Sequence, residues 1–529
     1  MKPEDGAQPS GAWGKYKILL IAAVSLFLTF GAKITATVSI FVLSHFYGQS
    51  VQADAYFIAN AIPGLLWGVI FSGIGVAVLP ELIRTRHSDP YQAGNFLSDT
   101  IKVYVLLGAL TSVVCVAFSR QIVNWASPNL PAVTADLASQ LCSIMALGFA
   151  FSGYVAIQNA IQQARQSYLL PLAAPMLCNT IALIAIVVSA YWHDVRIAAI
   201  GAVGAWIVLA PLYRLTTLKD YPTTFRRPFP TGLSKRFARL SAPIMLATFL
   251  DQVSIFVGLF IAGGLGAGMV ANYGYSSRLI VFTSSVFTTL VSYFLFPRLA
   301  RAAAVRDDAA LIGPVWAGIL VISVLTLPIA FLSVLLSRPI IQLLYGHGAS
   351  NADDLVKIAV LFAILSVVTP IMALREFLNR VLFSYQKNMV PLYVGILATL
   401  VNVGATLLLV RWIGYIGLGL GACLGALAYF VGQIGFIFVW KPVLRHRPGM
   451  VLLALIVAAA TASCGVCLYL FPVLPVGSFG LIAALAADCL AYAAIYAALL
   501  LVGCLALRIN PRHLPRHIGI SADKAAASG

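Results

Sequence analysis

Charge is what this sequence has least of. Aspartate and glutamate number 17 and lysine and arginine 34 in 529 residues, so charged side chains are 10% of the chain. Soluble domains carry about a quarter, and a surface of this size cannot be covered with so few, which excludes a soluble globular protein. Cysteine is also sparse, at eight residues, all within apolar runs. That excludes a disulfide framework. Cys464 and Cys467 form a CxxC, but no second Cys or His pair accompanies them as a zinc site requires. On a helix that spacing is one turn, and all eight read as small buried apolar residues. No GxxxxGK[ST] loop is present, which excludes a P-loop ATP site. The longest outward loop, roughly Ser337–Asp354, offers only His347, Asp353 and Asp354, too little for a glycosyltransferase or ligase centre.

What is abundant is apolar sequence: 61% of the residues, with a mean hydropathy of +0.94. A membrane span needs about 20 such residues. The chain supplies them almost end to end, without the short alternating strands of a barrel. The pattern predicts an all-α polytopic membrane protein of about fourteen helices. They fall near 18–45, 52–82, 99–119, 136–162, 168–191, 196–214, 240–264, 269–297, 311–336, 355–379, 389–410, 414–440, 450–472 and 478–507. Residues 1–17 read as a cytoplasmic tail, since the apolar segment that follows is too long for a cleaved signal; 508–529 read as a second tail.

An even number of spans puts both termini on one side, and basic residues choose the side. In this layout 26 of the 34 Lys and Arg fall with the termini and five opposite, and Lys33, Arg278 and Arg375 lie within the membrane. The excess of Lys and Arg on cytoplasmic loops then places both termini in the cytoplasm. The net charge of +17 is mostly this topology signal. Its basic residues are scattered over short loops, unlike a nucleic-acid-binding patch.

The chain repeats itself. Asn159, Pro171, Trp192, Gly201 and Ala202 recur 220 positions later as Asn379, Pro391, Trp412, Gly421 and Ala422, and Pro80 recurs as Pro297. Residues 18–214 then form one six-helix lobe and 240–440 a second, joined by the basic linker 215–239, with 450–507 added as two further helices. Two lobes of even span number are parallel repeats, an arrangement that transporters use to rock about a central site. Gly64 and Gly68, and Gly417, Gly421 and Gly425, recur every four residues as helix-packing ladders.

Lys33 lies mid-span. At about 1.5 Å per residue it is roughly 24 Å from Lys17 and 18 Å from His45, beyond the reach of its own side chain. A charge at that depth faces water or a partner. It reads as a cation lining a polar cavity and aimed at an anionic group of a substrate, or else as a structural ion pair or a neutral lysine. Asp251 takes the corresponding place in the first helix of the second lobe, where a carboxylate either neutralises Lys33 or carries a proton or coupling ion. Arg278 is placed equally well in a cavity or at the outer interface. Asp54 stands at the start of helix two, where an aspartate caps a helix. Arg375 and Glu376, adjacent near the inner end of helix ten, read as a self-neutralising pair, a headgroup contact or a gate. Asp488 has no evident partner.

"GQSVQADAYFIANAIPGLLWGVIFSGIGVAVLPEL" resembles the second-helix signature of the MurJ/MviN family in the MOP exporter superfamily: Gly48, Asp54-Ala55-Tyr56-Phe57, Pro63 and Pro80-Glu81-Leu82. "ANYGYSSRL" resembles its eighth-helix motif and "REFLNRVLFSYQKNMVP" its tenth-to-eleventh-helix turn, and the similarity spans about 20–440. The resemblance implies fourteen helices in two lobes, a central cationic cavity, and a groove on helices thirteen and fourteen for a polyprenyl tail. It implies a flippase, not an enzyme, that moves an undecaprenyl-pyrophosphate-linked saccharide of the lipid II type. Such a protein is a monomer among membrane lipids, driven by membrane potential or a coupling ion and without cofactor. It aligns Lys33, Asp54 and Arg278 with family substrate-site positions. Where the family has a following Arg-Asp, this chain has Ser39-Ile40, and Ala61, Trp67, Gly68 and Ser72 replace charged positions of helix two. A less cationic cavity keeps two alternatives open: an exopolysaccharide or O-antigen lipid-linked unit, or a small-molecule antiporter of the multidrug-exporter type.

Overall fold

A computed structural model describes residues 12–88, 90–165, 167, 169–217, 233–285, 308–385, 387, 389–470 and 478–506, most of them with side chains. All regular structure among them is helical. Apolar chain in a bilayer has to satisfy its backbone within each segment, and a helix does so. The first helices are α1 (Ala12–Tyr47), α2 (Val51–Ser88), α3 (Pro90–Ala117), α4 (Ser119–Ala126), α5 (Ala132–Ala146), α6 (Phe149–Ala164), α7 (Leu169–Tyr191) and α8 (Arg196–Thr217). Then come α9 (Leu233–Ala262), α10 (269–285), α11 (Asp308–Leu335), α12 (Ser337–Tyr345), α13 (Ala352–Ser366) and α14 (Val368–Ser384). The chain continues with α15 (Met389–Ile413), α16 (Ile416–Trp440), α17 (Arg447–Leu470) and α18 (Ser478–Ala506).

Nine helices among the described residues are long and apolar enough to cross a membrane, or twelve if each of three bent pairs is one span. Segments 52–82 and 269–297 of the expected fourteen run into residues whose backbone or side chains lie outside the description. So do the two tails and most of the linker 215–239. Exposed apolar side chains such as Leu110, Val113, Leu400 and Val431 cover the outward faces, as lipid contact requires.

The internal repeat has counterparts in local structure. The expected fourth span is two helices, α5 and α6, meeting at 43°, and the expected tenth is α13 and α14, meeting at 41°. The breaks fall at 147–148 and at Val367, one repeat apart. A short helix that the hydropathy pattern gave no sign of, α4 or α12, precedes each bent pair. In the first half Tyr213 on α8 donates its hydroxyl to Asn159 on α6. In the second, Tyr429 and Gln433 on α16 both donate to Asn379 on α14, at 3.2 and 2.7 Å. Asn179 on α7 donates to the Ala32 carbonyl at 2.8 Å, and its counterpart Thr399 on α15 donates to Leu250 at 3.1 Å. The recurring asparagines are therefore the polar ties that hold each half together in a medium offering no competing water.

The glycine ladders are packing surfaces. A Cβ on Gly421 would stand 2.7 Å from Thr406 Cα, and one on Gly425 2.5 Å from Asn402 Cβ, so α15 and α16 approach backbone to backbone. Gly68 likewise admits the Gln252 side chain, which a Cβ would meet at 2.9 Å. A separate apolar core joins α11, α14, α16 and α17 around Trp316, Phe377, Ile437 and Ile456, pinned where the Trp316 indole donates to Leu444 at 3.0 Å.

The chain forms two compact units. One comprises Met1–Leu43, Phe71–Ser119 and Gln140–Ser241; the other comprises Ser44–Ile70, Arg120–Ser139 and Ala242–Gly529. These cut the sequence differently from the contiguous lobes 18–214 and 240–440. Two turns of the first half, 44–70 and 120–139, are built into the second unit.

Candidate functional site

Within the second unit, the turns of one half seat on the loops of the other. The α1–α2 turn takes φ +49° at Gly48, which a side chain rarely adopts, and a Cβ there would strike the Ala349 carbonyl. His45 Nδ1 lies 2.8 Å from the His347 carbonyl, the Ala349 amide donates to the His45 carbonyl at 3.1 Å, and Gln49 donates to Ser350 at 3.3 Å. The reciprocal contact brings the α9–α10 turn onto 127–130: Ser127 Oγ donates to the Phe260 carbonyl at 2.8 Å, and Gly263 and Gly264 pack on Ser127 and Asn129.

Asp54 closes this arrangement. It is 2% exposed, and its two oxygens accept from the Gly268 amide at 2.6 Å and the Ala271 amide at 2.7 Å. These are first-turn donors of α10, which have no partner inside their own helix. A carboxylate there satisfies both and meets the positive end of the helix dipole. The expectation that Asp54 caps helix two is therefore corrected. Ser50 holds that place, with Ala53 N donating to its Oγ at 3.3 Å, and Asp54 caps the corresponding helix of the other half. Asp54 and Ala271 are 217 residues apart, the same separation as Pro80 and Pro297. The cap therefore joins residues from the two halves of the sequence inside the second unit.

Beneath the cap, Tyr275 donates its hydroxyl to the Gly48 carbonyl at 2.7 Å and packs edge-on against Phe57 and tilted against Tyr345, with centroids 5.1 and 5.2 Å away. Beside it, Asn272 donates to Asp354 at 3.3 Å, and Lys357 pairs with the same carboxylate at 3.1 Å. The loop residues His347 and Asp354 thus serve this closure. Arg278 lies one turn beyond Tyr275 and is exposed on α10, although Leu279 and Ile280 beside it are buried. Its charge acts on the buried Tyr56 of α2. The structure therefore brings Asp54 and Arg278 onto one helix pair, α2 and α10. Sequence reasoning missed Tyr275, Asn272, Asp354 and Lys357. The paired Gly48 and Gly268, both with positive φ, were the available signal that two tight turns meet here.

In the first unit, Lys33 is half-buried on α1 and makes no ion pair or side-chain hydrogen bond among the described residues. Its backbone is fixed on both sides: Thr37 Oγ1 donates to its carbonyl at 2.9 Å, and Asn179 holds the Ala32 carbonyl just before it. Gly31 lets Met176 approach, at 2.9 Å from where a Cβ would lie. The Asp251 side chain lies outside the described residues. In the second unit, the peptide before it is fixed in the same way by Thr399.

Arg375 and Glu376 face different neighbours. Adjacent residues on a helix point about 100° apart. Arg375 stacks over the Tyr429 ring at 4.6 Å, and Glu376 pairs with Arg380 at 3.7 Å. Asp488 is half-buried on α18. Among the described residues no group of three or more His, Cys, Asp or Glu is placed to hold a metal, and the eight cysteines are free thiols.

A family profile, "Lipid II flippase MurJ", matches residues 43–487. Among curated relatives, a "Probable lipid II flippase MurJ" of Thermotoga maritima is 23% identical over 76% of this chain and 82% of its own. A "Lipid II flippase MurJ" of Burkholderia cenocepacia is 25% identical over 73% and 78%. A solved structure described as "Lipid II flippase MurJ, inward closed conformation" aligns at a TM-score of 0.78 and 17% identity, covering 92% of this chain and 99% of its own. An inward-facing multidrug-resistance MATE transporter of the MOP superfamily aligns at 0.69 and 15%, covering 80% and 99%. With its multi-pass helical fold and most of its length matched by the profile, this chain belongs to the MurJ family of lipid II flippases.

Proposed function

We propose that this chain carries lipid II from the inner to the outer leaflet by alternating access, as a monomer with both termini in the cytoplasm and the α1–α2 turn facing outward. Lys33 is the observation that carries the reading. A half-buried ammonium mid-span with no carboxylate partner among the described residues costs several kcal/mol unless an anion visits it, and a diphosphate-linked lipid brings one. Arg278, exposed on an otherwise buried stretch of α10, supplies a second cation for the same class of group, and Asp251 a carboxylate for charge balance or ion coupling. The Asp54 cap keeps the outer end shut while cargo enters from inside. Energy comes from membrane potential or an ion gradient.

The test is reconstitution in vesicles with labelled lipid II and measurement of its exposure on the far leaflet. Wild type is expected to exceed Lys33→Ala at least tenfold, and equal exposure would overturn the reading.

One observation favours a second cargo. Ser39, where the family has a charged residue, is 7% exposed and donates to the Thr35 carbonyl at 2.8 Å, so it packs instead of meeting substrate. An exopolysaccharide-type lipid-linked unit needs fewer cations, and competition between the two lipids in the same vesicles separates them. A soluble small-molecule cargo is separated by deleting α17 and α18, which such a cargo does not need.

A further inference from the structure

α18 carries a carboxylate in mid-span. Asp488 is half-buried. It lies ten residues, about 15 Å, from Ser478 at one end of its helix and eighteen, about 27 Å, from Ala506 at the other. An aspartate side chain spans neither distance. Among the described residues no lysine or arginine pairs with it. The titratable groups its charge acts on are thiols, Cys467 across on α17 and Cys489 beside it. Thiols are weak donors and do not neutralise a carboxylate. Tyr492, one turn on, donates its hydroxyl to the Ala460 carbonyl of α17 at 3.1 Å and is committed there.

The exposed face of the same helix is built unlike a lipid face. On other spans the exposed side chains are bulky: Leu106, Leu110 and Val113 on α3, Leu400 and Leu407 on α15. On α18 the exposed positions 486, 487, 493, 494, 497 and 498 are all alanine, with Leu490 standing among them at 72%. The repeat ends with α16, so neither this face nor Asp488 is inherited from a duplicated half. Alanines let a second helix approach closely, but they do not name what approaches. Asp488 does, because a charge at that depth calls for a partner of opposite sign. A polyprenyl or acyl chain brings no cation. A headgroup amine stays at the interface. A second copy of this chain in two-fold contact brings another carboxylate. A lysine or arginine on a membrane-spanning helix fits both the depth and the charge.

We infer that the alanine face of α18 is a docking surface for a membrane-spanning helix of another protein, and that Asp488 at its edge pairs with a lysine or arginine in the middle of that helix. The contact is independent of which cargo is carried.

The test is energy transfer between the full-length protein, labelled at its N-terminus, and synthetic leucine–alanine helices of about 20 residues in phosphatidylcholine vesicles. The helices differ only at the centre, which is lysine, leucine or aspartate. Wild type is expected to associate with the lysine helix about tenfold more tightly than with the leucine helix. Asp488→Asn, which keeps the shape and removes the charge, is expected to abolish that preference. Asp488→Lys is expected to exchange it for a preference for the aspartate helix. Ala494→Leu, which fills the alanine face, is expected to weaken the lysine helix several-fold, and Leu407→Ala on α15 to leave it unchanged. Equal association with the lysine and leucine helices, or an Asp488→Asn protein that keeps the preference, would overturn the proposal. So would self-association of the protein that disappears in Asp488→Asn, which would assign the face to a second copy. Should Asp488→Lys fail to purify as a single species, Asp488→Asn carries the test.

Discussion

Asp54→Asn tests the cap at its weakest point. The carboxylate accepts two backbone N–H groups, one on each oxygen, while the amide keeps one acceptor and turns an NH2 group toward the other donor. Hydrogen bonds to a charged group are worth about 1.5–3 kcal/mol and neutral ones about 0.5–1.5, and losing the charge at a helix N-terminus costs about 0.3–2 more. At 2% exposure no water replaces the lost partner. A closed state weakened by about 2–4 kcal/mol shifts its balance with the open state by roughly 30- to 1000-fold. At the lower bound, a protein about 90% closed falls to about a quarter closed. The readout is a disulfide between cysteines placed at Gln49 and Ser350, whose side chains touch in the closed form at 3.3 Å. The native cysteines are buried or half-buried, so a parent without the engineered pair sets the background. Cross-linking in Asp54→Asn should fall several-fold with melting temperature little changed, because the ties within each half are untouched. Cross-linking equal to wild type in a folded Asp54→Asn protein would refute the argument that this cap holds the end shut.

Three further outcomes follow from the same geometry. Tyr275→Phe removes one hydrogen bond, to Gly48, and keeps both ring contacts, so the same cross-link should weaken by about fivefold, the equivalent of ~1 kcal/mol. Lys33→Ala should abolish flipping while leaving thermal stability unchanged or raised, since it deletes an uncompensated mid-membrane charge; a marked loss of stability would mean that Lys33 is a structural ion-pair member. Gly421→Val should lower the unfolding temperature through a cost of about 1–3 kcal/mol or more, because its Cβ would be driven onto Thr406; Gly435→Val, where a Cβ meets nothing within 4 Å, is the matched control.

Local patterning was enough to read the helical class, the repeat, and the mid-span Lys33, because each is set by residues close in sequence: apolar run length, recurring Asn and Gly, and a charge in the wrong medium. Asn159 and Asn379 were visible as a repeated pair, and the structure gives the reason, since each accepts the hydroxyl of a tyrosine from the last helix of its half. What could not be read is what depends on pairing across the repeat. Asp54 looked like a cap for its own helix because a carboxylate at a helix start is ordinarily one. Its true partners are amides more than 200 residues away, and nothing local distinguishes the two. Arg375 and Glu376 looked paired because they are adjacent, yet helical geometry sends adjacent side chains to different faces. The bends at 147–148 and Val367 escaped because an apolar helix keeps its hydropathy through a kink; the local marks were Gly148 at the first and Pro370 just past the second, which cannot donate to the Ser366 carbonyl. Yet the near-symmetry that hid the closure also explains it. A turn that seats on the counterpart half takes a backbone that side chains rarely adopt, and Gly48 and Gly268 supply it, one in each half. Asp54 has no carboxylate counterpart in the second half at either repeat spacing, where Ala271 and Gly274 stand, and so fixes which half caps the other. That asymmetry lets one carboxylate of the first half cap a helix of the second, so on the proposed alternating access Asp54→Asn, more than Lys33→Ala, is expected to change how readily the outer end opens.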